Sequence, residues 1–131
     1  MAGSFGTHLQ NALLNHLFDQ ASFSVPDIYV SLHVSTPGEY GYGELFFTNG
    51  YARVYTYFDD WLLVASGMIQ NYAEIAFPMA TGYWSYVSYF GLWDNATGGN
   101  FLLYGLISPS MEVMYGDVAR FEPYSLTVTL D

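Results

Sequence analysis

Lysine and cysteine are both absent from this chain of 131 residues, and arginine occurs only at Arg53 and Arg120. Against those two cations stand twelve acids, for a formal net charge of -10. Affinity for a phosphate backbone comes from Lys and Arg neutralising phosphates, so nucleic acid is not an expected partner. Anionic membrane surfaces are disfavoured for the same reason. Without cysteine there is no disulfide framework and no thiol nucleophile, and the redox compartment stays open. A chain of this length buries about two-thirds of its unfolded surface, so its core needs neither disulfide nor metal. Long apolar runs are missing too. The longest, such as Trp61-Leu62-Leu63-Val64-Ala65, reach five residues, against roughly 20 for a spanning helix. No basic stretch leads into an apolar run at the start of the sequence, so no secretory signal is expected.

What the chain does have is apolar and aromatic mass. It is 52% hydrophobic and 20% aromatic, with thirteen tyrosines and ten phenylalanines, and only 11% of residues are charged. Disorder requires the opposite combination, so the chain is globular. Its length fits a single domain over residues 1–131. So few charges cannot cover the surface. Some aromatic area must therefore face outward, and large exposed apolar patches mark interaction sites.

Periodicity divides the chain in two. Over residues 4–18, Phe5, Leu9, Ala12, Leu13, Leu17 and Phe18 keep the spacing of one helix face. Ser4 or Thr7 can cap that helix, and Thr7 with Gln10 has the form of a capping box. Beyond Asp19 the period becomes two. Ile28, Val30, Leu32 and Val34 alternate with Tyr29, Ser31, His33 and Ser35, between Pro26 and Pro37-Gly38, which predicts a half-buried strand. Residues 39–50, rich in Gly and Tyr, lack a period and read as a long loop of the kind that often carries function. Alternation resumes over 51–58, with Ala52, Val54, Thr56 and Phe58 on one face and Tyr51, Arg53, Tyr55 and Tyr57 on the other, and Asp59-Asp60 ends it. Further strands are expected at 72–77, 84–93, 101–107, 112–114 and 126–130, separated by turn chemistry that includes Ser108-Pro109-Ser110. The expected fold is all-β: an antiparallel β-sandwich or jelly roll over residues 26–131 with one N-terminal amphipathic helix or arm at 4–18. With one leading helix and no other, βαβ units are not expected.

Catalytic chemistry finds no foothold. His8, His16 and His33 share no metal-ligand spacing; the first two read as helix-surface residues and His33 as the outward residue of a strand. There is no Gly-x-Ser-x-Gly elbow and no phosphate-cradling glycine loop. Neighbouring Asp59 and Asp60 point to opposite faces of a strand, which suits a solvated strand end better than an acid–base pair. Residues 94–100 gather oxygen ligands without the calcium-loop spacing, and read as a hairpin in which Gly98-Gly99 supply positive φ. The sequon Asn95-Ala96-Thr97 is uninformative without secretion. No catalytic residue, metal site or cofactor is expected. The tyrosine faces (Tyr51, Tyr55, Tyr57; Tyr83, Tyr89) suit partner contact or self-association, a sugar-stacking platform, or packing under the long loop.

Several segments, taken in order, resemble small virion proteins of tailed bacteriophages. They begin with Met1-Ala2-Gly3-Ser4-Phe5, a helix ending Leu13-Leu14-Asn15-His16-Leu17-Phe18, and Ile28-Tyr29-Val30-Ser31-Leu32-His33 with Ser35-Thr36-Pro37-Gly38. They continue through Gly50-Tyr51-Ala52-Arg53, Ile75-Ala76-Phe77-Pro78, Phe90-Gly91-Leu92-Trp93-Asp94, Gly98-Gly99-Asn100 with Leu103-Tyr104-Gly105, and Gly116-Asp117, to Ser125-Leu126-Thr127-Val128-Thr129-Leu130-Asp131. Departures fall at 39–49 and 58–71, where Tyr40, Tyr42, Phe46, Phe47, Trp61, Leu62 and Leu63 stand in place of small and polar residues.

Proteins of this kind are labelled tail-fibre-like or act as capsid cement. The resemblance implies a non-enzymatic virion protein on the capsid exterior. Several copies, three being expected, would associate and clamp neighbouring major capsid subunits. Leu9, Leu13 and Leu17, with Phe5, form the expected anchor, although the helix suits equally well packing across an open end of its own sandwich. Tyr40, Tyr42, Leu45, Phe46 and Phe47 offer a second contact, and Tyr55, Tyr57 and Trp61 extend it. The alternative is a tail fibre or baseplate-associated subunit binding host glycan. A glycan hydrolase would instead need two carboxylates facing each other at about 5 to 10 Å.

Overall fold

The structure, a computed structural model, describes residues 3–129. β1 (Gly3–Phe5) leads through Gly6 into α1 (Thr7–Leu17). The helix begins later than the apolar spacing predicts because residues 3–5 pair instead with a long strand, Gly3 opposite Gly105 and Phe5 opposite Leu103. The expected caps are not used. Gly6 holds the N-cap position without a side-chain hydrogen bond, and in place of a capping box Gln10 Nε2 donates to Phe5 O at 2.8 Å. Only glycine fits there: a Cβ on Gly6 would lie 2.8 Å from Glu39 O and 2.9 Å from Phe101 O.

The strands that follow are β2 (Ile28–His33), β3 (Val54–Thr56), β4 (Trp61–Ala65), β5 (Met68–Asn71), β6 (Ile75–Ala76), β7 (Ser85–Trp93), β8 (Phe101–Val113), β9 (Arg120–Phe121) and β10 (Thr127–Thr129). They pair antiparallel throughout, in three sheets of order β1-β8-β7-β2-β3, β10-β5-β4 and β6-β9. This is the all-β, antiparallel architecture with one N-terminal helix that the sequence predicts. One face of the five-stranded sheet, with Val30, Leu32, Val87, Phe90, Leu92 and Leu103, forms a core with Tyr51, Ile75, Phe77, Trp84, Phe121 and Leu126.

Several boundaries differ from expectation, each for a physical reason. Two expected strands, at 101–107 and 112–114, are one strand. Val87 pairs with Met111 and Tyr89 with Leu106, so residues 107–110 bulge out opposite Ser88, which accommodates a proline that has no N–H for the ladder. The strand expected over 51–58 shortens to β3 and ends in a 3-10 turn at Phe58–Asp60. Its expected faces fail as well: Tyr51 and Arg53 turn inward and are buried, whereas Tyr55, Tyr57 and Phe58 are exposed. The strand expected at 72–77 contracts to β6, and β10 covers 127–129 of the expected 126–130, Leu130 lying outside the described residues. The hairpin β4–β5 was not expected at all. Its run Trp61-Leu62-Leu63-Val64-Ala65 does not alternate, because neither side of that strand is fully covered.

Candidate functional site

The long loop 39–50 lies over the second face of the five-stranded sheet and is held there by buried polar chemistry. Glu44, bridged to His33 across the strand edge, receives a bidentate ion pair from Arg53. Nε donates to Oε2 at 2.8 Å and Nη2 to Oε1 at 2.8 Å. The guanidinium has two further acceptors, since Nη1 donates to Asn95 O and Gly98 O, both at 2.9 Å. Its plane lies over Trp93, 3.8 Å from the ring centroid. Planarity, delocalisation and a fork of donors make Arg, and not Lys, the cation that can fill such a position. Tyr51 Oη donates to Glu44 Oε2 at 2.8 Å and accepts from Leu32 N at 3.1 Å. Burial, followed by the Glu44 carboxylate, pushes its hydroxyl far above the ordinary tyrosine range.

Beneath this pair sits a neutral chain of hydrogen bonds. His33 is fully buried, contrary to the outward position expected of it, because loop 39–50 covers the face that alternation leaves open. Its Nδ1 is 2.8 Å from Tyr42 O and its Nε2 is 2.7 Å from Ser31 Oγ, which also accepts from Trp93 Nε1 at 2.9 Å. A carbonyl only accepts, so Nδ1 carries the proton and Nε2 accepts from Ser31. Burial holds the pKa of His33 below its ordinary value of 6.5. Gly91 makes room for this chain, since a Cβ there would lie 2.6 Å from Ser31 Oγ and 2.7 Å from His33 Nε2.

The loop carries its aromatic residues on that frame. At Gly41, with φ +82, any Cβ would strike the Trp93 and Phe101 rings, so the backbone presses on the sheet and the neighbouring Tyr40 and Tyr42 turn outward. Their rings meet edge to face at 6.2 Å. Phe46 is 84% exposed and Phe47 about half exposed. Beside them opens a shallow cavity of about 520 Å³, lined by Val34, Glu44, Phe46, Asn49, Tyr83 and Trp84. A second aromatic row runs across β2 and β3, with Tyr29 and Tyr55 rings 5.1 Å apart and Tyr55 and Tyr57 4.7 Å apart. Tyr55 Oη lies 3.5 Å from Asp27 Oδ1.

The residues proposed from the sequence thus divide. Leu13, Leu17, Tyr40, Tyr42, Phe46, Phe47, Tyr55 and Tyr57 face outward. Leu9 is only 8% exposed and belongs to the chain's own core, while Phe5, Leu45 and Trp61 are half-buried against it. Trp61 is further tied by Nε1 donating to Thr56 Oγ1 at 2.9 Å. The helix therefore packs Leu9 inward and leaves Leu13, Leu14, Leu17 and Phe18 uncovered. The charged frame itself is absent from the sequence reading. Its one signal was Arg53, a rare cation among aromatic residues, which needs an acid if buried. The hairpin at 94–100 has the expected form: Gly98 and Gly99 take φ +57 and +76, and both Asp94 oxygens accept from Asn100, at 2.6 and 2.9 Å. Among the described residues no three His, Asp or Glu side chains gather to hold a metal, and no helix is long and apolar enough to cross a membrane.

Comparison with curated proteins gives no match. A family model described as podophage GP4 fiber I protein gp80 matches residues 4–129, nearly the whole chain. The chain belongs to that family and is a structural protein of a phage virion.

Proposed function

We propose that this chain is a subunit of the fibre apparatus, that copies of it associate, and that loop 39–50 is its principal contact with neighbouring virion proteins. The carrying observation is the loop itself: Tyr40, Tyr42, Phe46 and Phe47 are exposed on a backbone fixed by the buried Arg53–Glu44 pair. A contact surface already ordered before binding loses less entropy on association, and aromatic residues with few charges are the composition of interface centres. The family match favours the fibre over the capsid exterior. The shell-clamping reading, in which the same surface seats on major capsid subunits, rests on the likeness of the chain's motifs to cement proteins. The deciding measurement is the copy number per virion relative to the major capsid protein, by quantitative mass spectrometry. Few copies, copurifying with isolated fibres or tails, are expected. A number near one per capsid subunit would overturn the fibre assignment and establish a capsid cement.

A further inference from the structure

β4 is the outermost strand of the sheet β10-β5-β4. The direction of its backbone groups follows from the register. Tyr72 N donates to Asp60 O at 2.6 Å across the hairpin, so Asp60 directs its main-chain groups toward the partner strand. Antiparallel ladders alternate. Leu62, opposite Gln70, therefore also faces β5, and the N–H and C=O of Trp61 and Leu63 point away from the sheet. Among the described residues no hydrogen bond from another element reaches these outward groups. The side chains are uncovered as well, with Leu62, Leu63 and Val64 exposed, Leu63 by 68%. Natural edge strands are protected by lysine, proline, charge or a covering segment. This edge has no lysine, proline, charge or covering segment along its five residues; its one irregularity is a bulge between Leu63 and Ala65, which leaves Asp60 to Leu63 in regular register. The other outer strand, β10, differs: it lines a groove of about 370 Å³ whose remaining wall includes Leu106, Ile107 and Ser108 of β8, so part of its own chain stands beside it.

We propose that β4 pairs antiparallel with β4 of a second copy of this chain, about a two-fold axis at Leu63. In that register Leu63 meets Leu63 and Leu62 meets Val64, so the central cross-strand pairs are apolar, while Ala65, beyond the bulge and paired with Met68, lies outside them. Leu63 exchanges both main-chain bonds with its equivalent, the pattern of strand addition at an open edge. Charge selects the occupant. Each copy has a net charge of -10, yet Trp61 through Ala73 contains no charged residue. Two copies that repel elsewhere can meet here, whereas a basic partner would find no acid on the strand to pair with. The contact is isologous, so its product is a dimer and not a ring of three. It rests on the reading that copies associate.

The test uses the absence of cysteine. Leu63→Cys in the full chain places a single thiol on the two-fold axis, where directly opposed Cα atoms lie about 5.5 Å apart, within disulfide reach. Mild oxidation is expected to give mainly covalent dimer, and Val25→Cys, on an exposed loop, to stay uncrosslinked. In sedimentation the wild-type chain is expected at twice the monomer mass and Leu63→Lys at the monomer mass, with unchanged circular dichroism. Should Leu63→Lys fail to fold, the crosslink decides alone. If the wild-type chain associates but Leu63→Cys does not crosslink, the edge pairing is overturned while self-association stands. A wild-type chain that is monomeric throughout overturns both the pairing and self-association, and leaves the fibre assignment to the copy-number measurement.

Discussion

Loop 39–50 and the hairpin β4–β5 both present apolar side chains to solvent, but they are built in opposite ways. The loop has almost no regular structure, only the bridge from Glu44 to His33, and is fixed by side chains: a bidentate ion pair, a cation stacked on Trp93, and a histidine bonded at both nitrogens. The hairpin is a two-stranded main-chain ladder, bulged between Leu63 and Ala65, with little beneath it beyond the half-buried Trp61, Met68, Ile69 and Gln70 and the buried Asn71 at its end. Rigidity in the first comes from buried polar groups with satisfied partners, and in the second from a main-chain ladder that still has one open side. The loop is therefore sensitive to single side-chain changes, and the hairpin to what stands next to it.

The largest effect is expected from Arg53→Ala. Its side chain is 3% exposed, and removing it leaves the Glu44 carboxylate, 13% exposed, without its cation. Breaking a buried pair in this way costs about 3–5 kcal/mol, to be read as a lower urea midpoint. Leu63→Ser in the hairpin, compared at concentrations low enough for both chains to be monomeric, is expected within about 0.5 kcal/mol of wild type, as for surface positions generally. Equal losses at the two sites would remove the distinction. Gly91→Ala comes next. The added methyl enters the space between Ser31 and His33, and overpacking costs about 1–3 kcal/mol. Gly98→Ala, with nothing within 4 Å of its Cβ, has no such clash and bears only the cost of its positive φ. A Gly91→Ala midpoint no lower than that of Gly98→Ala would show that the polar chain yields easily.

Acid provides a smaller and more selective probe. His33 is neutral and buried, and its folded pKa lies below the ordinary 6.5 because burial disfavours the charged ring. Below about pH 6.5 the unfolded chain binds a proton that the folded chain does not, so stability present above that pH is lost as pH falls toward the folded value. His33→Gln should flatten that part of the stability curve, measured as the difference in urea midpoints between pH 7 and pH 5. An unchanged slope would mean that His33 is not the group responsible.

The same contrast explains what was legible in the sequence. Alternation over Ile28 to Leu32 reads directly as β2, because one face packs the core and period two follows from the pleat. Leu9, Leu13 and Leu17 share a helical spacing, but spacing alone does not say that the core stops after Leu9. His33 was misplaced because alternation assigns a residue to a face and is silent on whether a distant loop covers that face. The Arg53–Glu44 pair joins residues whose partners, Asn95 and Gly98, come from a separate hairpin, and no local pattern links them. The β4–β5 hairpin was missed for a different reason: Trp61-Leu62-Leu63-Val64-Ala65 has no polar alternate, since that sheet separates an inside from an outside only weakly.

The smallest effect on stability, and the sharpest on function, is expected at Phe46. Its ring is 84% exposed, so Phe46→Ala should leave the urea midpoint within about 0.5 kcal/mol of wild type. If the loop is the contact with neighbouring virion proteins, the same variant should be depleted from purified particles when it competes with wild-type chain during assembly. Arg53→Ala supplies the second half of the comparison. It keeps every exposed ring but releases the frame beneath them, so at a temperature where it remains folded it too should be depleted, through lost ordering of the loop instead of lost area. Depletion of Phe46→Ala alone would mean that the rings act without the frame. Depletion of neither would move the contact away from loop 39–50 and toward the uncovered end of α1, where Leu14, Leu17 and Phe18 remain exposed.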